Sequence, residues 1–151
     1  MPNTTESGSD LPSEPRVSGR HHVSFELSLN NAVYQNSPSA AQMSARMTIR
    51  SNVNPPLILE FFSLQRFDFL IINSAGSELY RWSAGRVFPM IASNVPIEGE
   101  EHWTVDVPLS NAQGTPFPSG EYVAQAYLMT FTGGAPATAK KYSASLGFSI
   151  Q

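Results

Sequence analysis

An antiparallel, immunoglobulin-like β-sandwich of about 7–9 strands is the fold class this sequence predicts. Three observations lead there. Apolar residues alternate with polar ones over short runs, which is the period of a half-buried strand. Each run is closed by Gly, Asn or Pro of the kind tight turns need, as in NPP, NSAG, SAG, PIEG, NAQGTPFPSG and TGGAPAT. No stretch carries a convincing 3.6-residue period, and no internal repeat is visible.

The strands follow in order. In HHVSFELSLN, Val23, Phe25, Leu27 and Leu29 fall on one face and Ser24, Glu26 and Ser28 on the other. QMSARMTIRS repeats the pattern, with Met43, Ala45, Met47 and Ile49 inward and Ser44, Arg46, Thr48 and Arg50 outward. LILEFF, RFDFLIIN and SELYRW come next, then EEHWTVDVPL with Trp103, Val105 and Val107 on one face. GEYVAQAYLMT and KYSASLGFSI end the series, the latter setting Tyr142, Ala144, Leu146, Phe148 and Ile150 inward. Tyr122 occupies the place of a tyrosine corner at the start of a late strand, and Ala124 stands where antibody domains carry a disulfide cysteine.

Residues 1–19 are rich in Ser, Pro, Glu, Asp and Thr, and ordering them would cost backbone entropy with little to bury, so they are expected to form a disordered tail ahead of a domain over 20–151. Within 151 residues one core suffices. There is no cysteine, which removes disulfides and thiolate metal sites, and three histidines are too few for most histidine clusters. No cofactor or metal is expected. A net charge of -3 provides no basic face for nucleic acid. The sequence has no apolar run near the ~20 residues of a membrane helix and no leader-like start, so a cytoplasmic location is expected. The charged fraction of 14% is below the ~25% of average domains, a feature frequent in exported sandwiches as well.

The stretch FFSLQRFDFLIINSAGSELYRWSAGRVF carries more specific information. It resembles the signature segment of the BsuPI-type intracellular proteinase inhibitors, a Phe-x-Ser-x-Gln-x-(Tyr/Phe)-Asp-Phe run followed by a turn and an aromatic-Arg-Trp-Ser step. The matching positions are Phe61, Ser63, Gln65, Phe67, Asp68 and Phe69, then Tyr80, Arg81, Trp82, Ser83 and Phe88, with Gly120 and Tyr122 further on. The resemblance spans roughly residues 46–129. Arg50-Ser51-Asn52 stands in place of the usual Thr-x-x-Asn strand end, and Phe62 in place of a small residue or Pro before the serine. The resemblance implies reversible inhibition of a serine protease of subtilisin type, with no catalysis by the chain itself. It leaves the oligomeric state open.

An inhibitor needs a projecting segment held by its scaffold, so that little ordering entropy is lost on docking. Sandwich end loops supply that, and Trp, Tyr and Arg dominate hot spots. The protein-binding candidates are therefore Arg81, Ser83, Ala84, Gly85, Arg86, Val87 and Phe88, assisted by the loop Gly114 to Gly120, read here as a neighbour. Phe61, Phe67, Asp68, Phe69, Tyr80, Trp82, Gly120 and Tyr122 are the structural signature, with the aromatics mainly closing the core. Asp68 is expected to form a salt bridge or hydrogen bonds to the turn near Ser83.

Catalysis has no such support. Ser83 lacks a nucleophile-elbow context, His21 and His22 point to opposite strand faces, and His102 is alone. Glu98, Glu100 and Glu101 read as a solvated acidic loop without EF-hand spacing. A second functional class is a non-catalytic accessory module that binds protein or carbohydrate through exposed aromatics such as Tyr34, Tyr127 or Phe131. A third is strand addition at an open sheet edge.

Overall fold

Strand β3, Met43–Ser51, shows how the sequence pattern becomes structure: Met43, Ala45, Met47 and Ile49 are each fully buried on one face, while on the other Arg46 and Arg50 are exposed and Thr48, flanked by them, is covered. Only an extended chain sends alternate residues to opposite faces in this way. The computed structural model describes residues 23–37, 42–131 and 141–151, all strand, turn or loop, with no helix among them. The expectations for the 1–19 tail, for His21 and His22, and for the TGGAPAT turn lie outside the described residues.

Three strands form one sheet, β1 (Val23–Leu29), β3 and β8 (Gly99–Val107), antiparallel in the order β1-β3-β8. The second sheet has the order β2-β10-β9-β5-β6, from β2 (Val33–Tyr34), β10 (Ser143–Ile150), β9 (Gly120–Leu128), β5 (Phe67–Asn73) and β6 (Glu78–Arg81). It is antiparallel except where β2 runs parallel to the end of β10. Strands β4 (Leu57–Phe61) and β7 (Ser93–Ile97) make a small antiparallel pair. The chain is an immunoglobulin-like, all-β sandwich. Sequence reading missed β2 and β7. Pro96 breaks the appearance of a strand, and it is accommodated because β7 pairs only with β4, opposite Ile58.

The core lies between the two larger sheets, where β3 and the inward residues Val105 and Val107 of β8 share a buried cluster with Phe69, Ile71, Ala124, Ala126 and Leu128. Full burial of each large apolar side chain stabilises the fold by about 1.5–3 kcal/mol. Aromatic groups close the core at both poles. Phe117, Tyr122, Phe148 and Tyr34 pack in series at one pole, with successive centroids 6.3, 5.5 and 5.7 Å apart. Trp82, Phe67 and Trp103 close the other, with Phe67 to Trp82 at 4.4 Å and Phe67 to Trp103 at 6.3 Å.

Tyr122 forms the corner its position predicts: its hydroxyl donates to the Pro118 carbonyl at 2.5 Å, four residues upstream. Ala124 fills the disulfide position as a fully buried side chain. Three sequence expectations change. Leu146 is 40% exposed, because β2 reaches β10 only at Ser149 and Ile150 and leaves the rest of that edge open. Tyr34 is a core residue at 2% exposure, held by the Phe148 ring and by its hydroxyl donating to Asn30 Oδ1 at 2.6 Å. Glu100 and Glu101 belong to β8 and not to a loop, and Glu100 pairs with Arg50 at 3.0 Å.

Candidate functional site

The turn after β6 is built from β5 outward. Asp68 sits on the outer face of β5 between two core phenylalanines, yet it is only 3% exposed. A buried carboxylate requires charged or hydrogen-bonding partners, and here it has four. Its Oδ1 accepts from the amides of Phe69 at 2.9 Å and Ser83 at 3.1 Å. Its Oδ2 accepts from the Ser83 hydroxyl at 2.6 Å and from Arg81 Nη1 at 3.0 Å. Arg81 also donates to the Tyr127 hydroxyl at 2.9 Å and makes a two-pronged pair with Glu78 at 2.7 and 3.1 Å. These contacts, led by Glu78 and then Tyr127 and Asp68, raise the guanidinium above its ordinary pKa.

Beyond this hub the chain turns twice. Ala84 donates to the Arg81 carbonyl and Arg86 to that of Ser83, at 3.1 and 3.0 Å. Gly85 is the third residue of the second turn, with φ of 79°, a region side-chain-bearing residues rarely adopt. Arg86 folds back: its guanidinium lies 4.4 Å from the Trp82 ring centroid, and its Nε donates to the Trp82 carbonyl at 2.8 Å. Burial pushes the Tyr80 hydroxyl above its usual pKa, and the nearby Arg86 charge opposes that shift. Phe88 leans on Trp82 with centroids 5.6 Å apart. The Pro89 carbonyl accepts from Leu64, at 3.0 Å, which joins this loop to the one between β4 and β5.

The candidates from sequence therefore divide. Arg81 and Ser83 face the Asp68 hub and support the turn. Ala84, Gly85, Arg86 and Val87 are exposed, and Phe88 is half-buried. Trp82 stacks on Phe67 at the rim of the core, with Tyr80 alongside, and Phe61, Phe67 and Phe69 are buried. Ser63 and Gln65 brace the adjoining loop, the Gln65 amide donating to Ser63 Oγ at 3.1 Å and the Gln65 side chain to the Phe67 carbonyl at 3.0 Å.

The loop Gly114 to Gly120 does not adjoin this site. Asn73 pairs with Tyr122 and Phe67 with Leu128, so the start of β9 and the Ser83 turn lie at opposite ends of the sheet. Six residues of strand separate them, about 20 Å. Sequence order alone does not reveal which end of a sandwich a loop occupies.

Four exposed apolar residues beside the turn escaped the sequence reading: Met90 at 81%, Phe62 at 63%, Ile91 at 55% and Leu64 at 41%. A signal existed for Phe62, since Leu57, Leu59 and Phe61 alternate inward along β4 and the next residue must point out. Of the aromatics considered for an accessory module, Tyr127 is engaged by Arg81, and Phe131 stacks on Phe62 at 4.1 Å. His102 is paired with Thr48 on the opposite sheet, so among the described residues no histidine joins Ser83 and Asp68.

Comparison with known proteins gives one family and one likeness of fold. No curated protein matches the sequence. The CARDB domain of a Pyrococcus furiosus protein overlays with a TM-score of 0.45 at 10% identity, covering 95% of this chain and 100% of that one. The Bacillus subtilis sporulation control protein Spo0M overlays at 0.46 with 12% identity, covering 85% and 49% of the two chains. The alkylpurine DNA glycosylase AlkC of Pseudomonas fluorescens overlays at 0.51 with 14% identity; 88% of this chain covers 31% of the glycosylase, a likeness of fold alone. The BsuPI family model, described as intracellular proteinase inhibitor, matches residues 22–132, which contain both loops of the site, the Asp68 hub and the Tyr122 corner. The chain belongs to the BsuPI family of intracellular proteinase inhibitors.

Proposed function

We propose that this domain inhibits a serine protease of subtilisin type by reversible binding, without catalysis of its own, through the turn from Ser83 to Phe88. The observation that carries the reading is the contrast between the tip and the base of that turn. Ala84 to Val87 are exposed, whereas Ser83 is tied to a buried carboxylate and Pro89 to the neighbouring loop. A segment fixed at both ends loses little conformational entropy on docking, which is the physical requirement for a tight inhibitor. Arg81 and Ser83 hold the turn in place in this account, and Ala84 to Phe88 meet the enzyme.

The target class rests on the family resemblance. It is tested by titrating a purified intracellular subtilisin-type protease with the domain, following hydrolysis of a small chromogenic peptide and checking the domain by mass. Stoichiometric loss of activity with an uncut domain is the expected result. Undiminished hydrolysis at micromolar domain across several such proteases would refute it.

A further inference from the structure

We infer that Val87 enters the target protease's specificity pocket, that this pocket accepts a small branched aliphatic side chain, and that Met90, Ile91, Phe62 and Leu64 pack on the cleft rim beside it. The inference rests on the inhibitory reading above and adds to it the residue that sets specificity and the chemistry of the surface it meets. Val87 is 94% exposed, the highest value among the large apolar residues of the fold. Its neighbours are held by contacts within the chain, the exposed Arg86 lying over the Trp82 ring and the half-buried Phe88 against that ring, while Pro89 is bonded to Leu64. Between these fixed points one side chain projects. Valine has a single rotor, stiff at χ1, so seating it in a pocket costs little entropy.

One exposed valine would need no explanation, since apolar atoms make up much of any surface. Five large apolar residues on two loops joined through Leu64 and Pro89 do need one. Residues 83–92 carry one charge, that of Arg86, and residues 61–65 carry none. A partner matched to this surface is apolar at the point of contact. Nor does the chain itself hold a suitable cover. Residues 1–22 include Met1, Leu11 and Val17 as their larger apolar side chains, and residues 132–140 are Thr, Gly, Ala, Pro and Lys. The inhibitor family makes the occupant the substrate cleft of a protease.

The test measures inhibition constants against a purified subtilisin-type protease for the wild type and a set of surface variants. All of these variants alter exposed side chains and should melt with the wild type. Val87→Asp should weaken inhibition by about 100-fold or more, Val87→Ala by about tenfold, and Met90→Ser with Ile91→Ser by about tenfold. Val33→Ser, at the opposite pole and 45% exposed, should change nothing. If Val87→Asp inhibits within about twofold of wild type while Gly85→Pro abolishes inhibition, the turn is the contact and the pocket assignment is overturned. A wild type that inhibits none of the proteases removes the parent reading and this one together. A dimer seen by sedimentation that Val87→Asp dissociates without loss of inhibition would assign the surface to a second copy of the chain and overturn the proposal.

Discussion

The hydroxyl of Ser83 lies 2.6 Å from Oδ2 of Asp68, and the Ser83 amide lies 3.1 Å from Oδ1, so one carboxylate grips both ends of a single residue at the start of an exposed turn. The arrangement converts a buried charge into a fixed geometry at the surface. Removing the carboxylate would leave the Ser83 amide without its acceptor and Arg81 with only part of its ring of partners. We expect Asp68→Ala to cost about 3 kcal/mol, the range for breaking a mostly buried pair from one side. It should lower the midpoint of urea unfolding more than it weakens binding at the turn. A midpoint equal to wild type would rule out the hub as a source of stability.

Alkaline pH should weaken the fold through its buried tyrosines. Burial pushes the hydroxyls of Tyr34, Tyr122 and Tyr142 above their ordinary pKa, and the same holds for Tyr80. The folded state thus keeps protons that the unfolded chain releases near pH ~10. Their contribution is fully present below that value and is lost as pH rises through the higher folded values. Melting temperature should be flat from neutral pH to about 9.5 and fall beyond it. Tyr122→Phe, which removes the bond to Pro118, should cost about 1 kcal/mol at neutral pH and make the alkaline fall shallower.

Gly85 separates backbone effects from packing effects. A Cβ added there would meet nothing within 4 Å, but φ is 79°. Gly85→Ala should therefore cost about 1 kcal/mol from conformation alone. Gly85→Asn should cost less, because asparagine tolerates this region better. Chemical denaturation of the pair would show it, and an alanine variant as stable as wild type would mean the turn relaxes to another form. Gly85→Pro locks φ near −65° and should remove inhibition altogether.

Across the outer face of the three-stranded sheet, Arg50 bridges Glu26 at 2.8 Å and Glu100 at 3.0 Å, all three side chains being well exposed. Solvent and salt screen such pairs. Arg50→Ala should change the melting temperature slightly at low ionic strength and not at all in about 0.5 M salt. A large loss that survives salt would show that the arginine stem, and not its charge, matters there.

The sandwich was legible because period two is a local property: the alternation in β3 and β8 is visible without knowing what they face. The tyrosine corner and the bonds from Asp68 to the Ser83 turn were legible for the same reason, since donor and acceptor lie within a few residues or on adjacent strands. What escaped depends on the arrangement of the whole. Tyr34 sits on a two-residue strand that exists only because it pairs with Ile150, at the far end of the sequence. Nothing near residue 34 announces that partner. The polarity of the loops is similar in kind: Gly114 to Gly120 shares its turn chemistry with Ser83 to Gly85, and only the register of β5 on β9 assigns them to opposite poles. Met90 and Ile91 look like strand residues in sequence, and they are exposed because Pro89 and the Leu64 bond hold that stretch as a loop.

Trp82 has a further consequence. The protein has two tryptophans, and this one is sandwiched between Phe67 below and the Arg86 guanidinium above, directly beneath the turn. Any molecule that displaces Arg86 or dries the turn changes the polarity around that indole. With Trp103 replaced by phenylalanine, the emission colour of the one remaining tryptophan, excited at wavelengths tyrosine does not absorb, becomes a readout of whether the tip is occupied, with no dye attached.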